Sequence, residues 1–248
     1  MNLPEKYRRI LDEFIEKYKN DINVVGIILT GSFVHSNLDK NSDLDIHIIL
    51  KDSKFRERGN TYVKGIEIEY FINPIKQIEE YFKHEKKGTA HMFSNSLVLY
   101  EKGNYLKKLI KKAKSIILKP GKKMSSFEIE ESKYHLDDLE KDLEDVYEKK
   151  DWFAFEAISI QILEKAIETF LKIKRVRREK AKRLLNYLDI IDSKFSKLYG
   201  SVLLEKNYDK KYLSNLELIR YVALKLGGKR SKEWKLRDKS PYLNKIRK

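Results

Sequence analysis

Four residues where one apolar run ends and the next begins have the types and spacing of a phosphate and metal site. Gly31-Ser32 follows the first run, and Asp43 and Asp45 open the second after a ten-residue spacer. Two carboxylates two residues apart on a strand project to the same face, where their like charges are costly unless a cation lies between them. Oxygen ligands select Mg²⁺ or Mn²⁺, and a Gly-Ser turn allows a phosphate close to the backbone. The pattern predicts a site for a metal-bound triphosphate.

A third acidic residue on a later strand would complete a two-metal site, which activates an attacking hydroxyl and neutralises a leaving pyrophosphate. The run 61–72 reads as that strand, and the Arg-Gly-Asn sequence at 58–60 predicts a turn before it. Glu67 and Glu69 share one face of this strand. We favour Glu69, which lies just before the strand ends, and Glu67 is the alternative.

The surrounding pattern predicts the elements that hold these residues. Apolar residues at helical spacing precede the first run, and β-branched residues dominate the two runs that flank the motif. A Pro-Gly-containing segment at 119–126 is the best linker signal, and after it only helical patterns follow. The sequence thus predicts an α+β fold class in three parts: a mixed-sheet domain at 1–118, an all-α helical bundle at 124–228 and a basic tail at 229–248.

Composition narrows the function classes. The 248 residues carry a net charge of +15 and no cysteine, which excludes disulfides, thiolate zinc sites and cysteine nucleophiles. Basic residues concentrate at 175–183 and in the tail, and such surfaces favour polyanionic partners, including nucleic acid. A charged N-terminus and the lack of a long apolar run predict a cytoplasmic protein with no membrane partner. Nothing in the pattern fixes the oligomeric state.

The stretch 30–50 resembles the signature of the DNA polymerase β-type nucleotidyltransferase superfamily: Gly-Ser, a spacer, Asp-x-Asp, and a third carboxylate on a later strand. By architecture alone, the helical part is similar to the C-terminal bundle of kanamycin nucleotidyltransferase-like proteins. The resemblance implies that Gly31 and Ser32 contact the triphosphate and that Asp43 and Asp45 bind both metals. It also implies that Glu69 or Glu67 binds the catalytic metal.

The family resemblance implies a Mg²⁺- or Mn²⁺-dependent enzyme. It would transfer a nucleoside monophosphate from an NTP to an acceptor hydroxyl and release pyrophosphate. Glu as the third carboxylate is similar to the antibiotic-modifying branches, which favours a small-molecule acceptor held by the bundle. The high positive charge argues against a polycationic antibiotic. The alternative function is a non-catalytic module of the same fold that binds nucleic acid or a protein.

Two weaker candidates lie outside the motif. His47 is two residues beyond Asp45 on the same strand face, where it either lines the site or packs at the margin of the core. In antibiotic-modifying relatives a bundle carboxylate acts as general base, and Asp137 or Asp138 would be its counterpart here. A solvated acidic helix face explains these two residues better.

Overall fold

The computed structural model describes residues 5–35, 43–84 and 88–237. The chain divides into two compact units, Met1–Lys119 and Pro120–Lys248. The first contains a mixed five-stranded sheet with helices, and in the described part of the second the regular elements are all helices, so the predicted α+β fold class is confirmed. The roles predicted for the two domains stay predictions.

The first unit alternates helices and strands around one sheet. Along the chain its elements are α1 (Glu5–Glu16), β1 (Val24–Thr30), a 3-10 turn (Gly31–His35), β2 (Leu44–Leu50), β3 (Glu57–Val63), β4 (Ile66–Pro74), α2 (Ile75–His84), α3 (Gly88–Ser94), β5 (Leu97–Glu101) and α4 (Tyr105–Leu118).

The sheet has the strand order β3-β4-β2-β1-β5. The β2–β4 pair is parallel, and the other neighbouring pairs are antiparallel. All seven residues of β1 are buried, as expected for an inner strand covered on both faces, which reads as a continuous apolar run. Because β2 and β4 pair in parallel, the ends of these two strands that carry the acidic residues lie side by side.

The two faces of β2 enter different parts of the core because side chains alternate along a strand. Leu44, Ile46 and Ile48 pack with the apolar stripe of α1. Ile49, on the opposite face, packs with residues from α2, α3 and α4. The second face is the one that carries Asp43, Asp45 and His47 near its end.

The second unit contains α5 (Ser126–Glu148), α6 (Trp152–Lys174), α7 (Ala181–Ile191), α8 (Ser193–Leu204) and α9 (Tyr208–Lys225). A capping box between Ser125 and Glu128 begins α5, which satisfies backbone N–H groups that the helix leaves without partners. Phe170 and Phe195 stack at the centre of its core, with ring centroids 3.7 Å apart.

Across the described ranges, every helix is too short or too polar to span a membrane. Part of the predicted basic tail, residues 238–248, lies outside the described residues, as does part of the spacer of the motif, residues 36–42.

Candidate active site

The turn at Gly31 lies directly against the carboxylate of Asp45. Thr30, the last residue of β1, pairs with Asp45 of β2, and Gly31 then turns the chain with a φ of +76°. A Cβ atom at Gly31 would lie 1.9 Å from Asp45 Oδ2. Glycine is therefore required here twice, for its left-handed conformation and for the close approach of the carboxylate. The sequence motif indicated only the approach of a phosphate.

Three carboxylates converge at this end of the sheet. Asp45 and Glu69 are direct partners in the parallel β2–β4 pair, and Asp43 immediately precedes β2. One ligand atom from each of the three residues lies within 4.8 Å of the others, and all three residues are partly buried. We call this group the acidic triad. Its all-oxygen donor set fits Mg²⁺ or Mn²⁺, and a cation would offset the repulsion among the three charges.

The alternative third acid, Glu67, is not part of this group. It lies nearer the β3–β4 turn, pairs with Tyr62 of β3 and accepts a hydrogen bond from Asn60 Nδ2 at 2.9 Å. It lines the same open cleft as Asp43 and Glu69. The register of β4 against β2 thus favours Glu69, and the assignment of the third ligand stays a prediction.

An arginine that the sequence did not single out contacts the triad. Arg58 Nε donates to Glu69 Oε1 at 2.9 Å, and its Nη2 donates to the same oxygen at 2.5 Å. The guanidinium also lies 5.1 Å from the centroid of the Phe71 ring. The side chain of Arg58 is 69% exposed, whereas that of Glu69 is 25% exposed. Arg58 therefore places a solvent-exposed positive charge at the edge of the triad.

The predicted turn at 58–60 is wrong, which is why Arg58 was missed. These residues belong to β3, and β3 and β4 form a hairpin whose turn is at Lys64-Gly65, with φ values of 50° and 77°. Pairing with β4 places Arg58 opposite Phe71. Both residues at the true turn have positive φ, the signature of the tight turns that favour hairpins.

Ser32 lies in the 3-10 turn directly after Gly31 and is partly buried. Its predicted contact with a triphosphate stays a prediction.

His47 is buried behind the triad. Its ring stacks on Phe71, with centroids 4.7 Å apart and planes 12° apart, and the residue is 6% exposed. Burial lowers the pKa of His47 to about 4, because a charged imidazolium is disfavoured away from water. Within the described ranges, no group hydrogen-bonds its Nε2 atom. Its place on the same face as Asp45 is as predicted.

Arginines of the basic stretch at 175–183 form ion pairs with glutamates of the second unit. Arg177 and Arg183 both contact Glu179, and Arg178 forms a salt bridge with Glu164. These contacts give the arginines a structural role. The predicted binding of nucleic acid through basic surfaces stays a prediction.

Asp137, one of the two bundle carboxylates considered as a general base, makes hydrogen bonds within the helical unit, and the role considered for Asp138 stays a prediction. Asp137 accepts hydrogen bonds at 3.1 Å from both Arg230 Nε and Lys141 Nζ. Burial alone would raise the pKa of Asp137, but the hydrogen bonds from Arg230 and Lys141 outweigh it, so the pKa falls below its ordinary value. A carboxylate with a lowered pKa is a weaker base.

Comparison with known proteins identifies the family. The family model described as "Nucleotidyltransferase domain" matches residues 7–188, and the chain belongs to this family. It is accordingly a nucleotidyltransferase, an enzyme of the class that the sequence motif predicted. No curated protein matches the chain.

Twelve chains of solved structures match this chain, and two of them illustrate the degree of similarity. A nucleotidyltransferase-like protein from Exiguobacterium sibiricum 255-15 is 13% identical to this chain, with a TM-score of 0.49. The match covers 89% of this chain and 77% of that protein's chain. An aminoglycoside 6-adenyltransferase from Bacillus subtilis is 11% identical to this chain, with a TM-score of 0.34. The match covers 92% of this chain and 94% of that protein's chain. At these values neither likeness carries an argument about substrate.

Proposed function

We propose that this enzyme transfers a nucleoside monophosphate from an NTP, with Mg²⁺ or Mn²⁺, to a hydroxyl group of a small molecule. The convergence of Asp43, Asp45 and Glu69 within 4.8 Å is the observation that carries the proposal. Three carboxylates this close repel one another, and the exposed Arg58 guanidinium on Glu69 offsets part of that repulsion, so the cluster favours a bound cation. The family supplies the reaction class.

In this reaction the oxygen of the acceptor hydroxyl forms a bond to the α-phosphorus of the NTP, while the bond from that phosphorus to the bridging oxygen breaks. Pyrophosphate leaves with the electron pair of the broken bond, and the hydroxyl proton is released. The bound metal would supply charge neutralisation at the phosphates and lower the pKa of the attacking hydroxyl. Asp43, Asp45 and Glu69 would hold it.

The chain's own residues contribute mainly position and charge. Gly31 has no side chain, so the carboxylate of Asp45 can lie against its backbone. The same exposed backbone would let the triphosphate approach. Ser32, the next residue, would offer it a hydroxyl. Arg58 brings a cation to the edge of the triad, where it would face the negative charge of the phosphates.

The helical unit is proposed to contribute to the acceptor side. The basic composition of the chain makes a polycationic acceptor less favourable than a neutral or anionic one. We therefore place a small hydroxylated molecule without multiple positive charges first among acceptors.

The test is a screen of hydroxylated small molecules with each NTP, following pyrophosphate release and the mass of the acceptor. We expect one acceptor to gain a nucleoside monophosphate only when Mg²⁺ or Mn²⁺ is present. Asp43→Asn/Asp45→Asn should abolish transfer. Asp12→Asn, the same kind of substitution at an exposed position of α1, is the matched control and should retain full activity. Transfer that persists in the double variant would overturn the proposed site.

A further inference from the structure

A cavity of about 440 Å³ adjoins the acidic triad within the first unit. Small-molecule sites commonly enclose roughly 300–1,000 Å³, so the cavity has the size of a ligand site. Arg58 lines both this cavity and the cleft that contains Asp43 and Glu69. The apolar part of its wall comes from β4, α2 and α3: Phe71, Ile78, Met92 and Phe93.

His47 lines this cavity and has an unmet hydrogen-bonding group. The residue is 6% exposed, and in the described part of the chain its Nε2 atom has no hydrogen-bond partner. Buried polar atoms in native structures nearly always have a partner, and an unpartnered one calls for an explanation such as an absent ligand. A polar ligand group in the cavity would supply that partner.

The charges of the wall restrict the ligand. Arg56 and Arg58 are both part of the lining, against a single carboxylate, Glu57. Arg56 Nη1 donates a hydrogen bond to a neutral group, Tyr81 Oη, at 2.6 Å. A cationic ligand would be repelled by the two guanidinium groups. The wall instead suits an uncharged ring with apolar faces and a polar edge, or a ligand attached to an anion.

The position along the sheet matches a nucleotide. His47 follows Asp45 by two residues on β2, so their Cα atoms lie about 7 Å apart. In a nucleoside triphosphate the base is joined to the α-phosphate by one ribose. An NTP whose phosphates are held at the triad would therefore bring its base to the level of His47.

We propose that this cavity binds the base of the NTP, with a base-edge hydrogen bond to His47 Nε2 and apolar contact with Phe93 and Met92. The inference rests on the proposed function, since the triad must hold the phosphates. A base has flat faces that pack against aromatic and apolar side chains and an edge that hydrogen-bonds. His47 thereby takes the role of a residue that binds the substrate rather than one that packs the core.

The experiment separates binding of the base from binding of the phosphates. Calorimetry in Mg²⁺ compares inorganic tripolyphosphate with the α,β-methylene analogues of ATP, GTP, CTP and UTP, which resist transfer. For the wild type we expect at least one analogue to bind tenfold or more tightly than tripolyphosphate. His47→Phe keeps a ring against Phe71 but removes Nε2. It should weaken binding of that analogue about fivefold to tenfold and change tripolyphosphate binding less than twofold.

A second variant and a control keep the result interpretable. Met92→Trp fills the cavity from α3 and should also remove the advantage of the analogue over tripolyphosphate, even if His47→Phe does not fold. His135→Phe, the same substitution at an exposed position of the helical unit, should behave as the wild type.

The outcomes distinguish this inference from the proposed function. If the analogue keeps its full advantage in both His47→Phe and Met92→Trp, the base lies elsewhere and the inference is overturned. If neither tripolyphosphate nor any analogue binds the wild type with Mg²⁺, the proposed function fails, and the inference falls with it.

Discussion

Two acidic regions of this chain are built in opposite ways. In the helical unit, Asp192 begins α8 and accepts a hydrogen bond from the backbone N–H of Phe195 at 3.1 Å. Its carboxylate also accepts from Tyr221 Oη at 2.9 and 3.0 Å and lies 3.3 Å from Lys174 Nζ. In the first unit the acidic triad instead brings three carboxylates within 4.8 Å of one another.

The difference distinguishes a carboxylate that stabilises the fold from a cluster of carboxylates that we propose holds a metal. Burial alone would raise the pKa of Asp192, but the hydrogen bonds from Phe195, Tyr221 and Lys174 outweigh it and lower the pKa. Burial and the hydrogen bond to Asp192 together raise the pKa of Tyr221 to about 12. Each partner thus stabilises the charged Asp192. The triad concentrates negative charge, which favours a bound cation rather than the fold.

The largest effect on stability should follow removal of the stabilising carboxylate. Asp192→Ala loses the N-cap of α8 and leaves the Tyr221 hydroxyl without its acceptor. We expect the free energy of unfolding to fall by about 2–3 kcal/mol. Urea unfolding followed by circular dichroism measures it. Asp189→Ala, a change in the preceding helix, is the control, and an equal loss in both variants would contradict the assigned role.

Gly31→Ala should have the next largest effect, and it acts on the triad. Alanine at this position must adopt a φ of +76° and must displace Asp45 Oδ2, so we expect a loss of about 1–2 kcal/mol in unfolding free energy. Metal-dependent NTP binding should fall far more than stability does. Gly65→Ala also has a positive φ but meets no atom within 4 Å, so this control should keep NTP binding.

Arg58→Gln should change stability least, because the side chain is exposed and such ion pairs contribute at most about 1 kcal/mol. Binding of Mn²⁺ without nucleotide should become tighter, since the guanidinium no longer competes for Glu69. Electron paramagnetic resonance titration measures the bound Mn²⁺. Arg9→Gln, which removes a solvent-exposed ion pair on α1, is the control. Weaker Mn²⁺ binding in Arg58→Gln would show that Arg58 supports the metal site instead.

The pH dependence of stability sharpens the same contrast. The pKa of Asp192 is lower in the folded chain than its ordinary value of 3.8. The stability contributed by its charged form is therefore complete above the ordinary value and is lost as the pH falls through the lower folded value. Below pH 4 the wild type should lose stability more steeply than Asp192→Ala. Parallel curves, measured by urea unfolding across pH, would contradict this.

The sequence predicted the geometry of the candidate site where that geometry depends on local spacing. Asp43 and Asp45 share a face because a strand has a period of two residues, and Gly31 precedes them at a turn. Glu67 and Glu69 also share a face, so local pattern could not choose between them. The choice depends on pairing across strands, which places Glu69 beside Asp45.

Other features depended on tertiary contacts. The Gly-Asn pair at 59–60 has the composition of a turn, yet pairing with β4 holds it in β3. That pairing brings Arg58 to Glu69. The cavity beside His47 depends on α3, a helix that no pattern in the sequence predicted.

The central claim is that the acidic triad exists to bind a metal-bound nucleotide, and thermal unfolding tests it most directly. The midpoint is measured with each NTP, with and without Mg²⁺, for the wild type and for Asp43→Asn/Asp45→Asn. A ligand at 100 times its dissociation constant stabilises a protein by about 2.7 kcal/mol. We predict that at least one NTP raises the wild-type midpoint only with Mg²⁺ and leaves the double variant unchanged. An equal rise in both proteins, or no rise in the wild type with any NTP, would contradict the claim.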